Sequence, residues 1–409
     1  MTRRARKSLQ SHAKAFLGQW WSPDLTWRDF ASLAARPTRL GGIPGDPLAR
    51  LGITADELAD PHGPVRFCGV ARYLNGAKAV VSHSIDDTTD GLPACLDAMD
   101  RYGIKSTVFV TTQFEPLMSQ LWPRLRQAIA DGHEIGSHSR RHPCRVPDSL
   151  PFCLGRFTNH EIEGSRDDIL RNTSQPHVWS WAYPCGNCAD RKFVQRKVAR
   201  AAYVVARAYP AEFRNLHAVP DLQDYDPNPY AARYTQIVQK GYEKIDRDGR
   251  EIQISGRTDL TALNGKFDEV SAAGGIYSFV SHPALLDYGP DGFYERHLAH
   301  VGGRAEVWYV PMGPLYAYRT LSTETSVRQL RRTGGAPRFA VCNSLDPKIY
   351  NGSLTLEFQT RMPVTAIANG KKLTEHASEP VAPWSGEYFR RKGESILVTV
   401  GSNTLLEFQ

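Results

Sequence analysis

Between residues 76 and 322, short β-branched apolar runs alternate with longer amphipathic segments, and this alternation constrains the fold more than any other feature of the chain. Strands are expected at 78–85, 105–111, 133–137, 179–183, 203–208, 275–281 and 306–310. Helices are expected at 92–102, 116–131, 159–172, 190–201, 259–273 and 291–300, the first two closed by Gly103 and Gly132. Strand and helix in turn at this spacing imply a parallel sheet with helices outside it. About seven repeats imply closure into a (β/α) barrel rather than an open sheet. Chemistry in such folds gathers at the C-terminal tips of the strands.

The flanks have a different composition. Residues 1–75 are rich in Trp, Arg, Pro and Gly and are expected to form an N-terminal extension that packs on the barrel. Around 323–338 the chain turns to Ser, Thr, Arg and Gly, as a linker would. From 338 to 409, short alternating runs lie between Asn, Gly and Pro turns, including the hairpin signal Asn369-Gly370, which predicts a small antiparallel β-sandwich. No catalytic constellation lies in it. A stability or docking module is the expected role, ahead of glycan binding.

Charge and composition exclude some classes of function. The 50 Lys and Arg against 43 Asp and Glu give a net charge of +7, but much of the excess sits at Arg3, Arg4, Arg6 and Lys7. No basic stripe is interleaved with stacking aromatics, so nucleic acid is not an expected partner. No run approaches the roughly 18 apolar residues of a membrane span, and the basic N-terminus is not followed by an apolar signal core. Seven cysteines is an odd count, which fits a reducing compartment. A cytoplasmic protein is expected, or a secreted or cell-surface one if a leader has been removed.

Candidate chemistry lies at four of the strand tips. The run Val80-Val81-Ser82-His83-Ser84-Ile85 ends in Asp86-Asp87, two carboxylates that repel unless a cation or proton separates them. His138 and His142, four apart, are expected on a helical turn that presents both imidazoles to one divalent ion. With an upstream carboxylate they make a metal site that leaves positions open for water and substrate. Tyr183-Pro184-Cys185-Gly186 predicts a tight turn able to direct a backbone N–H at an oxyanion. The run Tyr277–Ser281 delivers His282 as a candidate general acid. Cys185-x-x-Cys188 admits a zinc-thiolate, a local disulfide or packing cysteines; Cys144 and Cys153 are badly spaced to complete a zinc site, and packing is expected first. Trp179, Trp181, Tyr183 and Phe293 are candidate sugar-stacking walls, although such aromatics more often belong to a core.

In this order, Ile85-Asp86-Asp87, then Gly132-His133-Glu134-Ile135-Gly136-Ser137-His138 with His142-Pro143, then Ala182-Tyr183-Pro184 with Gly186, then Val280-Ser281-His282, the chain resembles the polysaccharide deacetylases of the NodB-homology class, carbohydrate esterase family 4. The resemblance covers about residues 76–320. It implies a distorted (β/α) barrel and metal-dependent hydrolysis of the acetamido group of an N-acetylated amino sugar, in a polysaccharide or glycoconjugate. By it, Asp86 is the base and His282 the acid. Asp87, His138 and His142 hold one divalent metal ion, expected to be Zn²⁺, and the Cys185 N–H and Tyr183 serve the oxyanion and substrate. The family's base-tethering arginine would stand at Ala182, and Arg207 is the candidate substitute. The aspartate expected to orient the acid has no clear counterpart; Asp221, Asp224 and Asp259 are candidates. Two other functions are open: a cyclic amide or ureide hydrolase on the same barrel, and a catalytically silent glycan-binding protein.

Overall fold

The computed structural model describes residues 45–59, 63–143, 156–208, 224–232, 236–237, 243–245, 251–253, 260–286, 288–333, 335–376 and 386–409. Most of the expected N-terminal extension lies outside these residues.

Eight parallel strands build the central sheet. After β1 (Arg66–Val70) come β2 (Ala79–Ile85), β3 (Ser106–Val110), β4 (Glu134–Ser137), β5 (Ser180–Ala182), β6 (Val205–Arg207) and β7 (Gln236–Ile237). A separate two-stranded ribbon, β8 (Glu243–Ile245) with β9 (Glu251–Gln253), precedes β10 (Ile276–Ser281) and β11 (Val307–Tyr309). The order across the sheet is β6-β5-β4-β3-β2-β10-β7. β11 lies along the N-terminal half of β2 (Val307↔Ala79), on the edge whose C-terminal half pairs with β3 (His83↔Ser106). The ring is completed only by short pieces, because Ala232 bridges to Arg207 of β6 while β7 pairs with β10. The sheet is thus a distorted (β/α) barrel, as the alternation implied. Helices α1 (Leu92–Arg101), α2 (Leu117–Ala130), α3 (Arg156–Asn172), α4 (Lys192–Arg200), α5 (Leu260–Ala272) and α6 (Phe293–Val301) follow the strands.

Successive strand residues face opposite sides, and this periodicity sorts the barrel. Val81, Ile85, Val108, Val110, Ile135 and Trp181 pack outward in the core that includes the helices. Val80, Phe109, Ala182 and Val205 belong to a second core that continues through helix α7 (Met312–Glu324) into the C-terminal strands. The first turn of α7 meets the inward face of β3 and β4. Thr107 Oγ1 accepts from the Met312 N–H at 2.7 Å, and the buried Glu134 carboxylate accepts from the Gly313 N–H, Thr107 Oγ1 and Ser180 Oγ at 2.8, 2.8 and 2.7 Å. A Cβ on Gly313 would lie 2.2 Å from Glu134 Oε1, so glycine permits the approach.

The C-terminal strands form two five-stranded sheets. One contains β12 (Ser326–Thr333), β13 (Ala336–Cys342), β20 (Thr404–Phe408), β15 (Ala366–Ala368) and β16 (Lys371–Lys372). The other runs β1, β14 (Ser353–Gln359), β19 (Ser395–Gly401), β18 (Tyr388–Lys392) and β17 (Thr374–His376). Residues 323–338, expected as a linker, instead contain β12, which pairs antiparallel with β13. The described part of the N-terminal extension packs on this sandwich and also reaches the barrel, where the Tyr73 hydroxyl donates to the Gly274 carbonyl at 3.1 Å. β1 pairs with β14, Leu58 bridges to Leu330, and Leu48, Leu51 and Ile53 cover Leu330 and Ala340. The reason is the edge of β14, whose backbone groups would otherwise lack partners. Barrel and sandwich share more than the second core. Trp179 Nε1 donates to the Ile349 carbonyl at 2.7 Å, and the Tyr318 hydroxyl donates to the Ala71 carbonyl at 2.7 Å.

Candidate functional site

The two-residue period carries each inward-facing row one step past its strand, and those steps meet. Asp86 continues Val80, Ser82 and Ser84; His138 continues Glu134 and Gly136; Arg207 ends β6; His282 continues Ser278 and Val280. Asp87, Ser139 and His142 then adopt left-handed backbone, with φ of 68°, 70° and 54°. Residues with a Cβ adopt this conformation at a cost, most readily Asp, Asn and His, and it recurs where side chains are held for function.

Asp87, His138 and His142 bring one ligand atom each to within 4.8 Å of one another. His142 Nε2 lies 3.2 Å and His138 Nε2 3.7 Å from Asp87 Oδ1, and the two Nε2 atoms are 3.0 Å apart. His138 Nδ1 donates to the Ala182 carbonyl at 3.0 Å, which commits the neutral ring's proton and leaves a lone pair on Nε2. Burial, only partly offset by Asp86, holds the His138 pKa down at about 4, so the ring is a neutral donor atom at neutral pH. A carboxylate oxygen and imidazole nitrogens converging in this way suit a divalent cation.

Asp86, 2% exposed, sits beside this cluster. Its Oδ2 accepts from Arg207 Nη2 and lies 3.9 Å from His282 Nε2, while Oδ1 has no hydrogen-bond partner among the described residues. Burial pushes the Asp86 carboxyl up, but the charges of Arg207, His138 and His282 outweigh it, and the group is held below the usual carboxylate range. The arginine expected at Ala182 is thus displaced by one strand: Ala182 and Arg207 are paired residues of β5 and β6. The Arg207 guanidinium also lies over the Phe109 ring, 5.2 Å from its centre.

Three expectations fail at the level of local structure. His138 and His142 are not on a helical turn: β4 ends at Ser137, and a loop reverses the chain. Helix α3 holds that loop. Glu161 Oε2 accepts from the Arg140 and Arg141 N–H groups at 2.9 and 3.0 Å, Asp168 takes the Arg140 guanidinium in two bonds of 2.8 and 2.9 Å, and Ser139 Oγ accepts the His142 N–H at 2.9 Å. Sequence reasoning missed Glu161 and Asp168; their seven-residue spacing on one helical face was the available signal. Tyr183 is not in the cleft, because its side chain shares Trp181's outward parity. It is 1% exposed in the outer core, and its hydroxyl donates to the Tyr230 carbonyl at 2.9 Å. Trp181 is likewise core, and Phe293 packs against the same cluster. Cys185 and Cys188 are not separate packing thiols but a disulfide.

Of the candidates to orient His282, Asp224 is exposed and pairs with Arg72 at 3.3 Å, whereas Asp221 and Asp259 lie outside the described residues. His282 Nδ1 has no hydrogen-bond partner among the described residues.

Residues 74–205, which carry the Asp86-Asp87, His138-His142 and Pro184 tips, match the polysaccharide deacetylase family. This segment is a polysaccharide deacetylase domain. The family's name is that of deacetylases, which are hydrolases. No curated protein matches the chain. Among solved structures, the deacetylase domain's chain is similar to a Mycobacterium smegmatis protein assigned to the polysaccharide deacetylases, at 15% identity and a TM-score of 0.44 over 66% of this chain and 99% of that one. A polysaccharide deacetylase from Bacillus cereus gives 13% and 0.36, over 57% and 91%. A family 4 carbohydrate esterase from Streptomyces lividans, in complex with acetate, gives 13% and 0.32, over 55% and 85%. At these identities and scores no residue's role is carried across. Among the described residues, no helix is long and apolar enough to cross a membrane.

Glu161→Ala is expected to weaken metal binding by about 10- to 100-fold, the range for losing a group that orients a ligand. Competition with a chromogenic chelator measures it, and wild-type affinity would show that Glu161 is not needed to hold His142.

Proposed function

We propose that the chain is a metal-dependent N-deacetylase that hydrolyses the acetamido group of an N-acetylated amino sugar in a polysaccharide or glycoconjugate. One observation carries this reading. Asp87, His138 and His142 converge within 4.8 Å beside Asp86, whose Oδ2 is occupied by Arg207 and whose Oδ1 is left to take a proton.

The donor set suits Zn²⁺, since imidazole nitrogens with one carboxylate oxygen are common ligands of that ion. When bound, the ion polarises the acetamido carbonyl and acidifies a water molecule. The chain's own residues supply the rest. Asp86 is ionised at neutral pH and accepts the water's proton at Oδ1, while Arg207 fixes the carboxylate's orientation. The Cys185 N–H, in the turn that follows β5, stabilises the oxyanion; such a donor contributes about 3 kcal/mol. His282 Nε2 protonates the departing amine, without which C–N cleavage stalls. The fixed positions of Asp86 and His282 on adjacent strands β2 and β10 support a division into base and acid.

Removal of metal tests the reading. Treatment with a strong chelator is expected to abolish acetate release from acetylated oligosaccharides, and stoichiometric Zn²⁺ to restore it. Unchanged turnover by metal-free protein would sink the proposal and favour a metal-independent cyclic amidohydrolase.

A further inference from the structure

We infer that the Cys185–Cys188 disulfide and Asn187 form a positioning clasp that sets the oxyanion turn against the His142 loop, and that reducing the disulfide lowers turnover. This rests on the reading above, in which the Cys185 N–H serves the oxyanion.

Backbone conformation is the first argument. The chain turns through Pro184–Gly186 directly after β5, and Cys185, Gly186 and Cys188 have φ of 50°, 70° and 63°. Two of these three are residues with a Cβ, for which the left-handed region is costly. A disulfide spanning four residues removes little chain entropy from the unfolded state, so its main effect is local. It ties together the two left-handed cysteines, and with them the direction of the Cys185 peptide.

The second argument is coupling. Asn187, inside the bridged loop, donates from Nδ2 to the Pro143 carbonyl at 3.0 Å, and Pro143 follows His142 directly. One hydrogen bond therefore joins the turn to the loop carrying a metal ligand. The third is access. Cys185 is exposed, so a reductant reaches its sulfur, whereas Cys95 and Cys342 are buried thiols.

The chemistry balances with a trialkylphosphine and water. Phosphorus attacks one sulfur and the S–S bond breaks. Water then supplies oxygen to the phosphine oxide and a proton to each of the two thiols, so that phosphorus is oxidised and the cysteine pair is reduced. Because an oxyanion donor acts on charge that develops only in the transition state, displacing it falls on kcat rather than KM.

Phosphine-treated wild type, its opened bridge confirmed by thiol titration, is expected to lose about tenfold or more in kcat with little change in KM, and to recover on re-oxidation. The C185S/C188S variant is expected to start at the lowered kcat, ignore the phosphine, keep a cooperative thermal transition and bind Zn²⁺ about tenfold more weakly, because the Asn187 contact no longer steadies His142. Wild-type kcat in the opened protein, or a double variant that still responds to phosphine, would overturn the inference. If oxidised wild type binds Zn²⁺ but releases no acetate, the deacetylase reading fails instead, and the double variant's Zn²⁺ affinity alone decides the clasp.

Discussion

Asp86→Asn is expected to retain the metal and lose about a thousandfold in kcat, within the range for removing a positioned proton-transfer group. Asparagine is isosteric, and its carbonyl oxygen can still accept from Arg207, so the buried guanidinium keeps a hydrogen bond in place of the one to Asp86 Oδ2. What is lost is a basic atom at the Oδ1 position. The Asp87, His138 and His142 atoms are untouched, so metal content measured by mass spectrometry should match wild type. His138→Ala differs, because it deletes a proposed ligand and should lose metal and activity together. Arg207 loses part of its charge compensation in Asp86→Asn, and a melting curve should accompany the kinetics, since breaking a buried ion pair costs about 3–5 kcal/mol when one partner is deleted outright. A folded, metal-loaded Asp86→Asn protein with wild-type turnover would remove Asp86 from the role of base.

Deletion of residues 338–409 is expected to abolish folding of the barrel rather than release an active one. Residues 40–409 form one compact unit, and the inner core passes without interruption from Val80, Phe109 and Val205 through Leu315, Tyr318 and Leu321 of α7 to Leu354, Phe358 and Val398. A fully buried side chain of this size contributes about 1.5–3 kcal/mol. Exposing even three on α7 therefore costs about 5–9 kcal/mol, comparable to the roughly 5–15 kcal/mol that holds a typical domain together. The deletion also strips β1 of its partner β14 and Trp179 Nε1 of its acceptor at Ile349. Expression of residues 1–337 should give insoluble protein, or soluble protein without a cooperative transition by circular dichroism. A cooperatively folded, active fragment would show the sandwich to be dispensable. Loss of glycan binding on this deletion would for the same reason say nothing about whether the sandwich itself contacts sugar.

The barrel was legible because its signals are local. From Ala79–Ile85 to Val307–Tyr309, seven expected strands and the helices between them appear within a few residues of their expected bounds, since β-branched runs and helical periodicity are written in consecutive residues. The sandwich was less so. β12 carries Arg328 and Arg331 at exposed positions, and nothing local in Ser326–Thr333 distinguishes an edge strand from a linker. Helix α7 was missed altogether. It is apolar nearly all round, with Met312, Leu315, Tyr316, Ala317, Tyr318 and Leu321 buried, so its amphipathic signature is weak.

The candidate site divides in the same way. Sequence alone determined which residue types arrive at the strand tips, because a period of two delivers Asp86, His138 and His282 inward once the strands are in phase. It also determined that an arginine was absent at Ala182. Only the tertiary structure decided the rest. Arg207 reaches Asp86 because β5 and β6 are neighbours in register, so that a side chain missing from one strand is supplied from its paired position on the next. His142 joins His138 because Glu161 and Asp168 of α3 hold the intervening loop. Cys185 meets Cys188 in a disulfide within the turn after β5, where Cys185 is exposed and Cys188 packs against the outer core. The Arg207 and His142 placements depend on elements packing side by side, and no local period in a sequence encodes which elements will be neighbours.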